Sequence, residues 1–423
     1  MYEIKEFSNG LKLVVAHMPH MQSISAGIWV KAGGRYEDER VFGISHFLEH
    51  MSFKGTPKRT ARQISESIEG VGGSINAFTG EEMTCYYASV TRSDLEVALD
   101  VLSDLFINAS LEQSEINKER GVILDEMRMY VDMPGQHVGE MLSEIMFDQH
   151  PLGRMLVGNE KTIKRIQKSD FVTYKERGYS AKNTLIAIAG DLRLKNISSA
   201  VEKVMQTMPN RKVHSFEPFK DHQKKSQIKI KDKKTQQTHF ALGFKQSHRL
   251  DPDRFGVKLL SIILGENMSS RLFQEIREKR GLTYDIGSST EKFQDIGSLV
   301  VSAGVDNNRF EEALQASIVE LRKISDNLVS KKELDMAKRY VKGQLAMALE
   351  KTSSCMMFIG EQLLCTGEIM DQNSMFKAFD QVTCEDIQRL AKNSFKPHKA
   401  NLAIIGPKIK KNNVEKILRN WGE

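Results

Sequence analysis

The chain has 423 residues, of which 40% are hydrophobic and 27% are charged, and its 61 basic and 55 acidic side chains give a formal net charge of +6. These proportions are typical of a folded globular protein and exclude disordered and fibrous classes. Because a single hydrophobic core rarely serves more than about 250–300 residues, the length predicts two domains or more.

Neither a membrane span nor a secretion signal is predicted. No apolar run reaches the ~18 residues that a transmembrane helix requires, and the first residues carry charges and no apolar signal-peptide core. The four cysteines are widely spaced and form no C-x-x-C pair, so we expect free thiols in a reducing compartment. We therefore expect a cytoplasmic protein with no membrane partner.

The first half of the chain predicts strands and long helices in a mixed order. Partial alternation of apolar and polar side chains predicts strands at residues 11–15, 23–30 and 84–90. Apolar residues at helical spacing predict helices at residues 44–53, 61–69, 94–108 and 112–130. Strands joined by turns, with long helices between them, are typical of an α+β fold in which helices cover one face of a sheet.

The second half of the chain repeats the order of the first. Aligning Phe42-Gly43 with Phe255-Gly256, at an offset of 213 residues, matches a strand, an acidic turn and a helix in both halves. The segment at 183–190 likewise resembles the segment at 401–406. The sequence therefore predicts two homologous domains, each a mostly antiparallel sheet covered by helices.

A Lys-rich polar stretch lies near the midpoint of the chain and predicts a solvated linker. It has no aromatic residue between Lys220 and Gln237, whereas a nucleic-acid surface interleaves aromatic and basic side chains. We therefore expect no nucleic-acid partner. The predicted boundaries are a first domain at 1–218, a linker at 219–236 and a second domain at 237–423.

The strongest local pattern is the segment His46-Phe47-Leu48-Glu49-His50. Two histidines at positions i and i+4 lie on one face of a helix, so both imidazoles can bind one ion. Glu49 lies beside that face, where it can hold a water molecule next to the metal. This H-x-x-E-H order is the inverse of the H-E-x-x-H order that occurs in some zinc peptidases. The five-residue pattern also arises by chance, and a catalytic zinc requires a third protein ligand.

The predicted helix at 112–130 supplies candidate carboxylates. Glu119 and Glu126 are seven residues apart and lie almost on one helix face, together with Ile116 and Ile123. Carboxylates among inward-facing apolar side chains are costly unless a metal or a partner neutralises them. An ion pair or a surface position would explain either glutamate alone. Two histidines and a carboxylate suit zinc, although cobalt or manganese can occupy the same set.

Together these residues resemble the pitrilysin/insulinase family of zinc peptidases. The resemblance is to the class that includes the mitochondrial processing peptidase subunits and bacterial processing proteases, whose chains are similar in size to the 48.0 kDa of this one. In that family the third ligand, a glutamate, follows the motif by about 76 residues, and Glu126 follows His50 by 76. The likeness extends over essentially the whole chain, including the segments at 43–45, 51–56, 72–79 and 132–134.

The resemblance implies a role for each residue of the site. His46, His50 and Glu126 would bind one Zn²⁺ per chain. Glu49 would be the general base that takes a proton from the water at the metal and passes it to the leaving amine. Glu119 would orient a ligand histidine, or would act only as an electrostatic neighbour.

The resemblance also implies how a peptide binds. An extended peptide would add to an edge strand through backbone hydrogen bonds, at residues Gly73, Ser74, Asn76, Ala77 and Phe78. A glycine turn that leads into an ordinary strand explains the same residues without a ligand. Sequence selectivity is expected to be loose, because backbone contacts read shape more than side chains.

The second half lacks the metal pattern. In the internal alignment, apolar side chains replace the two histidines and Glu49, at Leu259, Ile262 and Ile263. Arg277 and Tyr284 match a family motif that binds the scissile-side peptide carbonyl and helps to stabilise the oxyanion. Without that match, Arg277 would be a solvated charge on an amphipathic helix that ends at Gly281.

The expected function is a zinc-dependent endopeptidase that cleaves unfolded peptides or presequence-like segments inside an enclosed chamber. Family chambers contain four homologous domains and this chain supplies two, half of a clamshell, so we expect a homodimer, with a heterodimer as the alternative. Arg277 and Tyr284 would then act in cis or in trans. Two other functions stay open: a non-catalytic subunit or scaffold of a processing-peptidase-like complex, and a metal-binding module without hydrolysis.

Overall fold

The computed structural model describes residues 2–422, which form two compact units. The first unit comprises the chain up to Arg128 together with Arg154–Glu217 and Ala346–Met370. The second unit comprises Met129–Gly153, Pro218–Leu345 and Asp371–Glu423. Each half of the sequence thus contributes a helical segment to the unit that contains the other half's sheet. The compact units therefore cut across the predicted ranges 1–218 and 237–423.

The first unit contains a six-stranded sheet with the strand order β1-β2-β6-β3-β5-β4. Neighbouring strands are antiparallel except β2 and β6, which are parallel. Within residues 2–422, strand β4 therefore lies at an edge of this sheet and pairs with β5 alone. The strands are β1 (Tyr2–Glu6), β2 (Lys12–His17), β3 (Ser23–Val30), β4 (Ser74–Thr79), β5 (Thr84–Thr91) and β6 (Thr184–Gly190).

The second unit contains a five-stranded sheet with the order β7-β11-β8-β10-β9, in which only β7 and β11 are parallel. This order repeats that of the first sheet without its outermost strand β1. The two similar segments at 183–190 and 401–406 form the corresponding strands β6 and β11. The strands are β7 (Gln227–Asp232), β8 (Gln237–Gln246), β9 (Thr283–Lys292), β10 (Gly297–Asp306) and β11 (Asn401–Gly406).

Fifteen α-helices and one π-helical segment, Phe273–Lys279, lie in the described part of the chain. The four helices predicted in the first half are present with ends within two residues. The helices are α1 (Ile44–Ser52), α2 (Ala61–Glu69), α3 (Leu95–Asn108), α4 (Gln113–Asp132), α5 (Pro134–Met146), α6 (Glu160–Arg165), α7 (Lys168–Gly178), α8 (Leu194–Met205), α9 (Arg254–Gly265), α10 (Phe310–Asp326), α11 (Lys331–Ala348), α12 (Thr352–Thr366), α13 (Gln372–Gln381), α14 (Cys384–Ser394) and α15 (Lys411–Arg419).

Helices cover both faces of the first sheet, not one face as the sequence predicted. On one face α1 and α3 pack over strand residues such as Ile28 and Tyr86. On the other face α12, from the second half of the sequence, packs over Trp29 and its neighbours. Gly360 of α12 lies against the Trp29 indole, where a Cβ atom would come within 2.4 Å of the ring. The strands are therefore apolar on both sides, which explains why their predicted alternation is only partial.

Strand β7 lies inside the stretch 219–236 for which a linker is predicted. It pairs in parallel with β11, so this part of the stretch belongs to the second sheet. Its sequence, QIKIKD, alternates apolar and polar residues as an edge strand does, although its many lysines give it the composition of a linker. The interpretation of the stretch as a solvated linker is therefore wrong for residues 227–232.

The predicted fold class is confirmed: the protein is α+β, with two mostly antiparallel sheets covered by helices. Within residues 2–422, no helix combines the length and the apolar character needed to cross a membrane. The four cysteines are free thiols, and three of them are buried.

Candidate metal centre

Helix α1 carries the H-x-x-E-H pattern and begins at a sharply defined point. Gly43, just before the helix, has φ of +94°, a left-handed conformation that favours glycine. The carboxylate of Glu37 accepts hydrogen bonds from the backbone N–H groups of Gly43 and Ser45, each at 2.7 Å. Glu37 is only 8% exposed, and burial raises its pKa to about 7. This carboxylate satisfies two of the N–H groups that a helix leaves unpaired at its start.

Apolar packing fixes which face of α1 points toward the candidate metal site. Phe47, Leu48 and Met51 are fully buried in the core of the first unit. The Phe47 ring packs edge-on against Phe171, with 5.0 Å between ring centroids. The histidines and Glu49 lie on the other, partly exposed part of the helix surface.

Buried apolar residues seven positions apart orient helix α4, as buried apolar residues orient α1. Ile116 and Ile123 are fully buried, and Glu119 and Glu126 follow each of them by three residues. The two carboxylates therefore project from neighbouring turns of the same inward face. Glu119 is only 5% exposed, whereas Glu126 is partly exposed.

Three side chains from α1 and α4 converge on one point. The Nε2 atoms of His46 and His50 lie 3.7 Å and 3.6 Å from Oε2 of Glu126. One potential ligand atom from each of the three residues lies within 4.8 Å of the others. A tetrahedral zinc ion with bonds of about 2 Å separates its ligand atoms by roughly 3.3 Å. The two imidazoles and the carboxylate therefore match both the donor set and the approximate spacing of a zinc site.

Glu119 is not one of the three converging side chains. It contacts Nδ1 of His50, the ring nitrogen that does not face Glu126. Its Oε1 lies 2.8 Å from Nδ1 of His50, and its Oε2 forms an ion pair with Lys54 at 2.6 Å. A hydrogen bond at Nδ1 fixes the ring and leaves Nε2 free for an ion. Burial would raise the pKa of Glu119, but the hydrogen bonds from His50 and Lys54 lower it below its usual value. Glu119 therefore stays a carboxylate.

The two histidines differ in their electrostatic environment. Burial, together with the neighbouring His50, lowers the pKa of His46 to about 3, so its imidazole is neutral. Burial would also lower the pKa of His50, but its hydrogen bond with Glu119 and the nearby Glu126 raise it instead. A neutral imidazole is the form that binds a metal ion, so His46 is ready for a ligand role without losing a proton.

Glu49 lies beside the converging ligands without being one of them. Its Oε2 accepts a hydrogen bond of 2.5 Å from the hydroxyl of Thr79. Burial raises the pKa of Glu49, while the Thr79 hydroxyl opposes that rise. Thr79 is the last residue of β4, so Glu49 contacts the end of the edge strand.

The predicted peptide-binding residues lie along and just before β4. Gly73 precedes the strand, Ser74 and Asn76 are exposed within it, and Ala77 is partly buried against the core. Phe78 packs edge-on against Trp29 on the opposite face of the sheet, at 5.6 Å. The free edge of β4 has the geometry that strand addition requires.

Arg277 and Tyr284 lie together in the second unit. The Arg277 guanidinium stacks over the Tyr284 ring at 4.5 Å from its centroid, and its Nη1 donates to the Tyr284 carbonyl at 2.8 Å. Arg277 belongs to the π-helical segment, a geometry that is frequent at functional sites. Tyr284 is 78% exposed, so the pair forms an accessible surface feature and not a core contact.

Two family models match this sequence. The model described as insulinase (peptidase family M16) matches residues 12–160, and the model described as peptidase M16 inactive domain matches residues 165–341. The chain belongs to the M16 peptidase family. This membership confirms the predicted resemblance to the pitrilysin/insulinase peptidases.

Several relatives resemble the chain over nearly its full length. A Bacillus subtilis protein named uncharacterized zinc protease YmxG is 33% identical, with 94% of this chain and 97% of the relative aligned. A Rickettsia felis protein named uncharacterized zinc protease is also 33% identical, over 96% and 98% of the two chains. These names support a zinc-dependent metallopeptidase.

Two solved structures share the fold. A protease from Helicobacter pylori superposes with a TM-score of 0.91 at 23% identity, covering 96% of this chain and 99% of that one. A Pseudomonas fluorescens structure described as a peptidase M16 inactive domain gives a TM-score of 0.89 at 20% identity, covering 96% and 98%. At these identities the likeness establishes the fold alone.

Sequence reasoning selected the three side chains that converge in this M16 chain but missed three others around them. Glu37 caps α1, Lys54 pairs with Glu119, and Thr79 binds Glu49. Lys54 and Thr79 lie inside segments that the sequence had singled out as family-like, at 51–56 and 72–79. No periodicity in the sequence indicates that their side chains would reach Glu119 and Glu49.

Proposed function

We propose that this M16 chain is a zinc-dependent endopeptidase that cleaves unfolded peptides or presequence-like segments. The observation that carries the proposal is the convergence of His46, His50 and Glu126 to within 4.8 Å, with Glu49 beside them. Relatives over 94% or more of the chain are named zinc proteases, which supports the same reaction class.

Each residue has a distinct part in the proposed reaction. His46, His50 and Glu126 would hold one zinc ion, which would supply Lewis-acid activation of water and of the peptide carbonyl. Glu49 takes a proton from the attacking water and delivers it to the leaving amine. Glu119 orients His50 through Nδ1, and its ion pair with Lys54 keeps that carboxylate in place.

The substrate adds to the free edge of β4 as an extended strand. Backbone hydrogen bonds along the free edge of β4 hold it, so the peptide must be unfolded where it binds. The bond to be cleaved lies near the end of β4, because Thr79 contacts Glu49 there. Arg277 and Tyr284, acting in cis or in trans, bind the carbonyl on the scissile side, as in the family motif they match.

An enclosed chamber completed by a second copy of the chain is also part of the proposal. Its support is the family resemblance, in which four homologous domains surround the substrate, and this chain provides two. Such a chamber admits peptides and excludes folded proteins.

Replacing Glu49 by Gln tests the proposal, because the amide keeps the shape of the side chain but cannot accept a proton. We expect hydrolysis of a quenched fluorescent peptide to fall by a factor of roughly 10²–10⁴. Zinc content, measured by atomic emission, should stay at that of the wild type. Glu69→Gln, an exposed glutamate at the end of α2, is the matched control and should be as active as the wild type.

Two results would contradict the proposal. If Glu49→Gln hydrolysed the peptide as fast as the wild type, Glu49 would not be the base. If the wild type bound zinc but cleaved no peptide in a broad library, the chain would be a metal-binding module or a non-catalytic subunit.

A further inference from the structure

The hydroxyl of Thr79 is a polar contact at the candidate site that the proposed reaction does not use. It donates a hydrogen bond of 2.5 Å to Oε2 of Glu49, and Thr79 is the last residue of the edge strand β4. The contact joins the strand to which a peptide adds and the side chain that acts as base.

The backbone holds Thr79 in place without help from α1. Thr79 pairs with Thr84 across the β4–β5 hairpin. The next residue, Gly80, accepts a hydrogen bond from the Gly34 N–H at 3.2 Å and donates to Met83 within the turn at 2.8 Å. These bonds connect the turn to the segment after β3, so the backbone at Thr79 is held by groups other than Glu49.

The alternation of β4 directs Thr79 toward α1. Ile75, Ala77 and Thr79 share one face of the strand, and Ile75 and Ala77 pack against the core that contains α1. Phe78 points to the other face, where it meets Trp29. A one-residue shift of the strand would bring Phe78 or Gly80 to that position, and neither has a hydroxyl, so the register of β4 places a hydroxyl against Glu49.

The two oxygens of the Glu49 carboxylate are held differently. Oε2 accepts from Thr79, whereas no side chain or backbone group in the described residues donates a hydrogen bond to Oε1. A carboxylate has two acceptor oxygens, and a donor on one of them fixes its plane while the other stays available. Oε2 is therefore fixed by Thr79, whereas Oε1 is available to accept a proton.

We propose that Thr79 is a positioning residue for peptide hydrolysis, which holds Oε2 of Glu49 so that Oε1 takes the proton from the attacking water. Because Thr79 ends β4, it also sets the distance between the peptide-binding edge and the base. The inference rests on the proposed function, in which Glu49 is the general base. A misplacement of a catalytic group by about 1 Å can lower a rate a hundredfold, so one hydrogen bond suffices for a measurable effect.

Removing the hydroxyl tests this inference. Thr79→Val keeps the size of the side chain and its preference for strands. We expect kcat for the quenched peptide to fall roughly ten- to a hundredfold with KM within about a factor of two of the wild type. Thr79→Ser restores the hydroxyl and should restore most of kcat. Thr173→Val is the matched control, because it removes an exposed hydroxyl on α7 that bonds only to the Ser169 carbonyl.

A double variant separates positioning from a general effect on folding. If Thr79 acts through Glu49, adding Thr79→Val to Glu49→Gln should lower the residual kcat by less than a factor of two. Zinc content and the thermal unfolding midpoint are measured for every variant. A Thr79→Val protein that lost zinc or unfolded early would show that the residue supports the fold, which would overturn the inference.

Other results would also overturn the inference. Wild-type kcat in Thr79→Val, with Glu49→Gln inactive, would remove the positioning role and leave the proposed function intact. A raised KM with unchanged kcat would make Thr79 a substrate contact. Equal losses in Thr79→Ser and Thr79→Val would show that the hydroxyl is not responsible. Activity retained by Glu49→Gln itself would instead contradict the proposed function.

Discussion

Helices α1 and α9 occupy corresponding positions in the two halves of the chain but present different surfaces. In α1 the residues at the three compared positions are His46, Glu49 and His50, and each is partly exposed. In α9 they are apolar, and all three are buried: Leu259, Ile262 and Ile263. The same place in a repeated fold is thus a polar site in one unit and a packed core in the other.

The comparison teaches that the polar version of this site depends on support from other elements. Glu37 caps the start of α1, Glu119 holds His50, and Thr79 holds Glu49. The core of α9 needs no such partners, because apolar side chains are stabilised by burial alone. Polar groups shielded from water are costly unless they are hydrogen-bonded, so His50 and Glu49 are each supported by a partner from another element.

Converting α1 to the α9 pattern should have the largest effect. We expect His46→Leu combined with His50→Ile to abolish zinc binding and to reduce peptide hydrolysis at least about a thousandfold, since no ion can then activate the water. Metal analysis and the quenched-peptide assay measure both. A folded double variant, checked by thermal unfolding, that still hydrolysed the peptide would place the active centre elsewhere.

The reverse change, a histidine in α9, tests whether that helix tolerates a polar residue without supporting partners. Leu259→His introduces an imidazole into α9 without the partners that α1 has. We expect it to destabilise the second unit by about 3 kcal/mol, from lost packing and an unsatisfied polar group. Chemical unfolding measures the shift, and Leu259→Met should cost less than about 1.5 kcal/mol because its volume is similar. Equal stability of the His and Met variants would show that α9 tolerates a polar residue without support.

Of the three predicted changes, replacing a residue that supports a candidate ligand should have the smallest effect. We expect Glu119→Gln to lower zinc affinity roughly ten- to a hundredfold, because His50 loses a carboxylate partner at Nδ1 but keeps its place. Competition with a chelator of known affinity measures the change. Glu115→Gln, on the same helix and paired only with exposed Lys118, is the control. Unchanged affinity in the Glu119 variant would mean that the hydrogen bond does not support the metal site.

The sequence by itself determined the local parts of this protein. Helical spacing predicts α1 and α4 within two residues of their observed ends, because apolar residues at i, i+3 and i+4 favour one structure over all others. The spacing of the two histidines places them on one helix face for the same reason. Glu126 was selected by family resemblance, since a separation of 76 residues has no local physical cause.

Only the tertiary structure decided which distant groups meet. Thr79 lies 30 residues from Glu49 and Glu119 lies 69 from His50, and no periodicity connects such positions. The exchange of α5 and α12 between the units, and the pairing of β7 with β11, depend on which sheet faces and edges remain uncovered once the strands have assembled. Local patterns specify how a segment folds, whereas its partners are chosen by packing between segments that are far apart in the chain.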